Sequence, residues 1–278
     1  MNIKDIVVFL SAGHGGKDPG AVGNGLKEKD INLQIMLANK AVLERHGIKV
    51  VCSRLTDEND PVAEEVREAN ACKATIAVSH HTNSATSKKA DGSETYYHGS
   101  SAEGKRLAEL CEKHTKALGQ NSRGAKAWND LWFLRGTNMV AALTESAFIC
   151  NPNDISIVDE VKEQQKFGEA YAKAILEYFG IPYKEVQTSQ TTTGKKEPVK
   201  VDYAKSFNKD YGKTFTVTAS DGLNMRTGAS TSKTIIKSFA KGKKVRCYGY
   251  YTKSSDGTIW LLCACDGYTG FMSKRYLK

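Results

Sequence analysis

Three short stretches hold residues whose types could do chemistry together. His14 stands in SAGHGG (residues 11–16), His80 and His81 in VSHHTNS (78–84), and Glu145 in LTESAF (143–148). Each follows an apolar, strand-like run: 6–10 before His14, 74–79 before the histidine pair, and 140–144 before Glu145. In an open α/β sheet, ligands gather outside the carboxyl ends of the strands, so these groups would converge on one crevice. Glu28, in GLKEKD (25–30), lies just ahead of a helix and on the loop leaving the first strand, where it can join them. Two neutral imidazoles and a carboxylate with a fourth position open make a catalytic zinc shell. Such an ion acidifies water and polarises a carbonyl, and a second carboxylate outside the shell can carry the proton. The set His14, Glu28, His81 and Glu145 contains every part. Neighbouring strand residues face opposite ways, so at most one of His80 and His81 should face the ion. His46, His98 and His114 read as solvated or core-edge residues.

The elements that must position these groups alternate. Asp30 reads as an N-cap, followed by Ile31, Ile35, Ala38 and Val42 on one helical face, with Gly47 as the stop. Residues 48–53 read as a strand, and Pro61 opens a helix to about Lys73. A strand at 94–98 and a helix over 103–118 follow. Residues 154–179 are helical with a break near Glu163, and are stopped by Gly180 and Pro182. The pattern predicts an α/β domain, a mixed sheet flanked by helices.

The 278 residues suit two domains. Residues 1–180 hold 22 Lys and Arg against 24 Asp and Glu, and the remainder holds 18 against 7, so the whole of the +9 net charge arises from the remainder. A basic tail half implies an anionic partner. Residues 184–202 begin with KEVQTSQTTTGKKEPVK, poor in large apolar groups, and read as a linker between domains at 1–183 and 203–278. The last domain has short strand-like runs at 214–218, 223–226, 234–239, 244–250, 258–264 and 268–271, which predict a small β-barrel. Tyr248, Tyr250, Trp260 and Tyr268 could line a groove there or fill its core. Seven cysteines, without a C-x-x-C pair, read as buried thiols.

Four segments in order, SAGHGGKDPGAVG (11–23), GLKEKDINL (25–33), VSHHTNS (78–84) and ALTESAFICNP (142–152), resemble the zinc-dependent N-acetylmuramoyl-L-alanine amidases of the autolysin and phage endolysin group. The resemblance spans residues 6–180. It implies zinc held by His14, Glu28 and His81, with Glu145 as the catalytic proton carrier, and hydrolysis of the bond between the lactyl group of N-acetylmuramic acid and L-alanine. The family usually has an apolar residue where His80 stands. Residues 223–245 and 259–277 resemble the opening and close of bacterial SH3-type wall-binding modules, which implies peptidoglycan, and an anionic wall polymer such as teichoic acid, as partners.

A phage or prophage endolysin is the leading expectation; a bacterial autolysin or a zinc peptidase cutting within the stem peptide are the alternatives. No apolar run reaches membrane-spanning length, and no signal peptide is visible near the start, so the expectation is synthesis in the cytoplasm, no membrane insertion, and action at the wall after release. A nucleic-acid binder is disfavoured because no recognition helix or RNA-binding signature is present.

Overall fold

The computed structural model describes residues 2–185, 201–266 and 268–278. The chain divides into two compact units, Met1–Tyr183 and Lys184–Lys278. Most of the expected linker, 186–200, lies outside the described residues.

The first unit runs β1 (Val7–Ala12), β2 (Val22–Gly23), β3 (Leu26–Lys27), α1 (Glu28–Arg45), β4 (Lys49–Cys52), α2 (Val62–Ala71), β5 (Ile76–Asn83), β6 (Ser93–Tyr97), α3 (Ala102–Lys116), β7 (Ser122–Ala127), α4 (Trp132–Gly136), β8 (Val140–Phe148), α5 (Pro152–Ile155) and α6 (Val161–Tyr178). Six strands form one sheet in the order β4-β1-β5-β8-β6-β7. β4, β1, β5 and β8 are mutually parallel, whereas β6 pairs antiparallel with β8 and carries β7 with it. The sheet is therefore mixed, as expected.

Both faces are covered, because the central strands are apolar on both sides. On one face Ile31 and Ile35 of α1, Cys111 of α3 and Phe167 and Tyr171 of α6 form a core. Gly168 lets α6 approach α1: a Cβ there would stand 2.4 Å from the Ile35 carbonyl oxygen. On the other face Phe9, Ala77, Tyr96 and Leu143 pack against Val66 of α2 and Phe133 of α4.

Three sequence expectations are corrected. α1 begins at Glu28, and Asp30 is an exposed first-turn residue rather than the cap. The amides of Glu28 and Lys29 are taken by the carbonyls of Ala21 and Pro19, so the preceding loop does the capping. β5 and β8 continue through His81 and Glu145, which sit inside paired strands and not beyond them. The helical break expected near Glu163 falls earlier, between α5 and α6. The hairpin β2–β3, β7 and α4 went unread, since SRGAKA (122–127) lacks apolar alternation and the others are very short.

The second unit is a seven-stranded antiparallel sheet of β9 (Ser206–Phe207), β10 (Thr214–Thr216), β11 (Leu223–Arg226), β12 (Ile235–Phe239), β13 (Lys244–Lys253), β14 (Ile259–Cys265) and β15 (Tyr268–Ser273). Its core gathers Phe215, Met225, Ile236, Val245, Cys247, Leu261, Cys263 and Met272. Tyr248, Tyr250 and Trp260 are buried, and only Tyr268 of the four aromatics is half-buried. All seven cysteines are free; Cys111, Cys247, Cys263 and Cys265 are buried, but Cys52, Cys72 and Cys150 are only partly so. No helix among the described residues is long and apolar enough to cross a membrane.

Candidate metal centre

β1 delivers the chain into a loop whose backbone is bent hard around His14. The residue adopts a φ of +66°, a left-handed conformation uncommon outside glycine. Gly15 and Asp18 exchange two backbone hydrogen bonds of 2.9 and 3.0 Å that close the turn. The Asp18 carboxylate then meets His14 Nδ1 at 2.8 Å, which turns Nε2 inward. Buried Arg54 braces the same loop, donating to the carbonyls of Ala12 and Lys29 at 2.8 Å each.

Glu28, in the first turn of α1, reaches back to this loop. Its Oε1 lies 3.3 Å from His14 Nε2 and 2.9 Å from His81 Nδ1. Its Oε2 accepts from the Ala21 amide at 2.8 Å. Asn32, one turn along α1, donates to the Gly13 carbonyl at 3.0 Å and accepts from the Thr82 hydroxyl at 3.0 Å, tying helix, loop and β5 together. Each of His14, Glu28 and His81 offers a ligand atom, and these atoms lie within 4.8 Å of one another. The cradle has no spare room: a Cβ on Gly13 would stand 2.1 Å from the His81 ring, and one on Gly20 would stand 2.7 Å from Glu28 Oε2.

The electrostatics suit a cation. Burial opposes ionisation of Glu28, but hydrogen bonds and charge from His14 and His81 hold its carboxyl well below the usual range. Burial alone would lower His14; Glu28 and then Asp18 overcome it and raise the imidazole to about 9. Two imidazoles and a carboxylate facing one point fit a borderline-soft divalent ion.

His80 and His81 point opposite ways, as strand geometry requires. His80 is fully buried, with Asn39 Nδ2 at 3.1 Å and Thr144 Oγ1 at 3.0 Å from its two ring nitrogens, and burial drives it down to about 3. It is a neutral core residue. Glu145 is the register partner of His81, so the two side chains share a sheet face. Its Oε2 is buried without a hydrogen-bond partner among the described residues. Burial first, then the charges of Glu28 and Glu94, raise its carboxyl well above the normal range. An orphaned acid beside a three-ligand cluster is placed to hold or pass a proton. His46, His98 and His114 bond elsewhere, to Val42, Ser100 and Glu177.

Sequence reasoning missed Asp18, Asn32, Arg54 and Glu94. Only Asp18 carried a signal, its close spacing from His14 in a glycine-rich turn. The contacts of Asn32 with Gly13, Arg54 with Ala12 and Glu94 with Arg123 each span 19 or more residues.

The family model for N-acetylmuramoyl-L-alanine amidase matches residues 8–177. The endolysin of Bacillus phage SPP1 is 38% identical over 64% of this chain and 68% of its own length. The germination-specific N-acetylmuramoyl-L-alanine amidase of Bacillus subtilis is 28% identical over 62% of this chain and 79% of its own. Among solved structures, the catalytic domain of the amidase CwlV from Bacillus (Paenibacillus) polymyxa superposes with a TM-score of 0.60 at 31% identity, covering 64% of this chain and 99% of that one.

Proposed function

The chain belongs to the N-acetylmuramoyl-L-alanine amidase family and cleaves peptidoglycan as an amidase; from that premise we propose that it does so with a zinc ion held by His14, Glu28 and His81, and with Glu145 carrying the proton. The supporting observation is the three-ligand cluster beside an orphaned, register-matched Glu145. When bound, zinc supplies Lewis acidity toward water and toward the lactyl carbonyl oxygen. Glu145 takes the proton from the attacking water and hands it to the departing alanine nitrogen, so the C–N bond breaks to a carboxylate and a free amine. Its buried setting raises its proton affinity, which strengthens it as the acceptor of the water's proton. Asp18 fixes the His14 ring, and Asn32 keeps loop, helix and strand in register around it.

Digestion of purified sacculi tests this. New N-terminal alanine and free lactyl carboxyls support the amidase with zinc-dependent turnover, provided a chelator stops the reaction and zinc restores it. New termini inside the stem peptide would make it a peptidase instead.

The second unit we assign to wall binding as an SH3-type module. Its basic composition supports an anionic wall polymer as ligand. For the biological role we propose an endolysin, acting on the wall after release from the cytoplasm, on the strength of the likeness to the phage enzyme. Loss of the gene then delays lysis by the phage or prophage; an autolysin would leave phage lysis untouched.

A further inference from the structure

The polar row through His81 and Glu145 continues one strand further. Glu94 on β6 is the register partner of Glu145, so it projects from the same sheet face. It is buried, and both carboxylate oxygens are filled. Oε1 accepts from Asn83 Nδ2 at 2.8 Å and from the Tyr96 hydroxyl. Oε2 accepts from Arg123 Nε at 2.7 Å and from Lys126 Nζ. Two cations thus share one carboxylate oxygen. The cations are the outer layer: their side chains are 37% and 38% exposed against 4% for Glu94. Neither is spent. Beyond Glu94, Arg123 has a long 3.4 Å contact from Nη1 to the Asp91 carbonyl and the Phe148 ring 5.1 Å beneath it. The Asp91 carboxylate, whose charge also reaches Arg123, contacts Asn121 Nδ2 at 3.3 Å. Half-exposed Trp128 stands edge-on to Tyr96, with ring centroids 4.9 Å apart, and walls the same end. A buried acid that pins two outward cations makes a preorganised anion site at low entropic cost.

We propose that Arg123 and Lys126 bind a carboxylate of the stem peptide at its second residue, making the enzyme selective for stems in which that group is ionised. The proposal rests on the amidase reading. The glycan offers no anion here, because the lactyl carboxyl is tied up in the bond to be cut. The first anion along the peptide is the α-carboxylate of the γ-linked glutamyl residue after alanine. It lies about 6 Å from the scissile nitrogen in an extended chain. Neighbouring strands are about 4.8 Å apart, which sets Glu94 one strand from Glu145 and the cations gathered on it one carboxylate further out. The peptide arm then lies over β6 and β7, and the glycan on the side of β1. Amidation of the glutamyl carboxyl removes the charge the pair would recognise.

The test uses the full zinc-loaded chain on two synthetic glycan oligomers, alike except that the second stem residue carries a free α-carboxylate or its amide. Wild type should cut the free acid with a kcat/KM roughly tenfold higher, the scale of one charge-assisted hydrogen bond. Lys126→Gln and Arg123→Gln should each erase most of that preference, bringing the free-acid to amide ratio of kcat/KM to within about twofold of unity, and Lys126→Arg should keep it. Equal cutting of both substrates by wild type, or equal losses on both in the variants, overturns the subsite and leaves the amidase reading standing. If wild type frees no N-terminal alanine from either oligomer while zinc is bound, the amidase reading itself falls.

Discussion

His14 is held in a left-handed conformation that costs about 1–3 kcal/mol, and the loop around it is tied on every side to keep it there. Such strain is retained where a side chain must be aimed, and here it aims Nε2 at Glu28. Removing either imidazole leaves too few ligands, so His14→Ala and His81→Ala should lose zinc and turnover together, as metal analysis beside a sacculus-clearing assay would show. Asp18→Asn keeps the ligands but loosens the ring, and should weaken zinc affinity about 10–100-fold by competition with a chromogenic chelator. Glu145→Gln separates binding from chemistry. It should hold zinc normally yet lose about 10²–10⁴ in kcat; unchanged kcat would remove Glu145 from proton transfer. The proposed division of labour was partly legible in the residues alone. His14, Glu28, His81 and Glu145 stand in ordered motifs, but Asp18 and Asn32 earn their roles only through contacts the fold creates.

At the scale of elements, register does the assembling. The pairing of β5 with β8 sets His81 opposite Glu145, and that of β8 with β6 sets Glu145 opposite Glu94. Three residues far apart in sequence thereby share one face, while His80 is sent to the other. Close packing of the first loop on β5 makes Gly13→Ala a sharp probe: a methyl 2.1 Å from His81 must displace the ring, costing about 1–3 kcal/mol of stability and most of the zinc affinity. Calorimetry with metal titration would read both. Glu94 also links the sheet edge to pH. Burial opposes its ionisation, but hydrogen bonds from Lys126, Tyr96 and Arg123 bring it down to about 2 from 4.5. Its folded value is depressed, so its stabilisation is complete above pH 4.5 and is lost as pH falls toward 2. The unfolding midpoint of wild type should therefore fall faster across that window than that of Glu94→Gln. Parallel slopes would show that the group contributes nothing. Where the pattern was strong, as in the apolar run of β1, the element was legible; β7 was not, because this edge strand buries none of its residues and shows no apolar alternation.

For the whole molecule, the two units divide by composition as well as by contacts: the first is slightly acidic over residues 1–180 and the remainder strongly basic. A chain of residues 1–183 should still release N-terminal alanine from soluble fragments while binding intact walls less in a pull-down, with the largest difference at low salt, where charge attraction is least screened. Equal wall binding by the short and full chains would leave the basic unit without that role. Composition, motif order and hydrophobic pattern were enough to predict an α/β sheet unit, a basic strand-rich unit and a set of candidate site residues, because these are local properties of the chain. Which of two adjacent histidines faces Glu28, that Glu28 opens its helix, and that Glu94 gathers two cations beside Glu145 were settled only by strand register and loop packing. Those depend on contacts between residues dozens of positions apart, which no local pattern encodes.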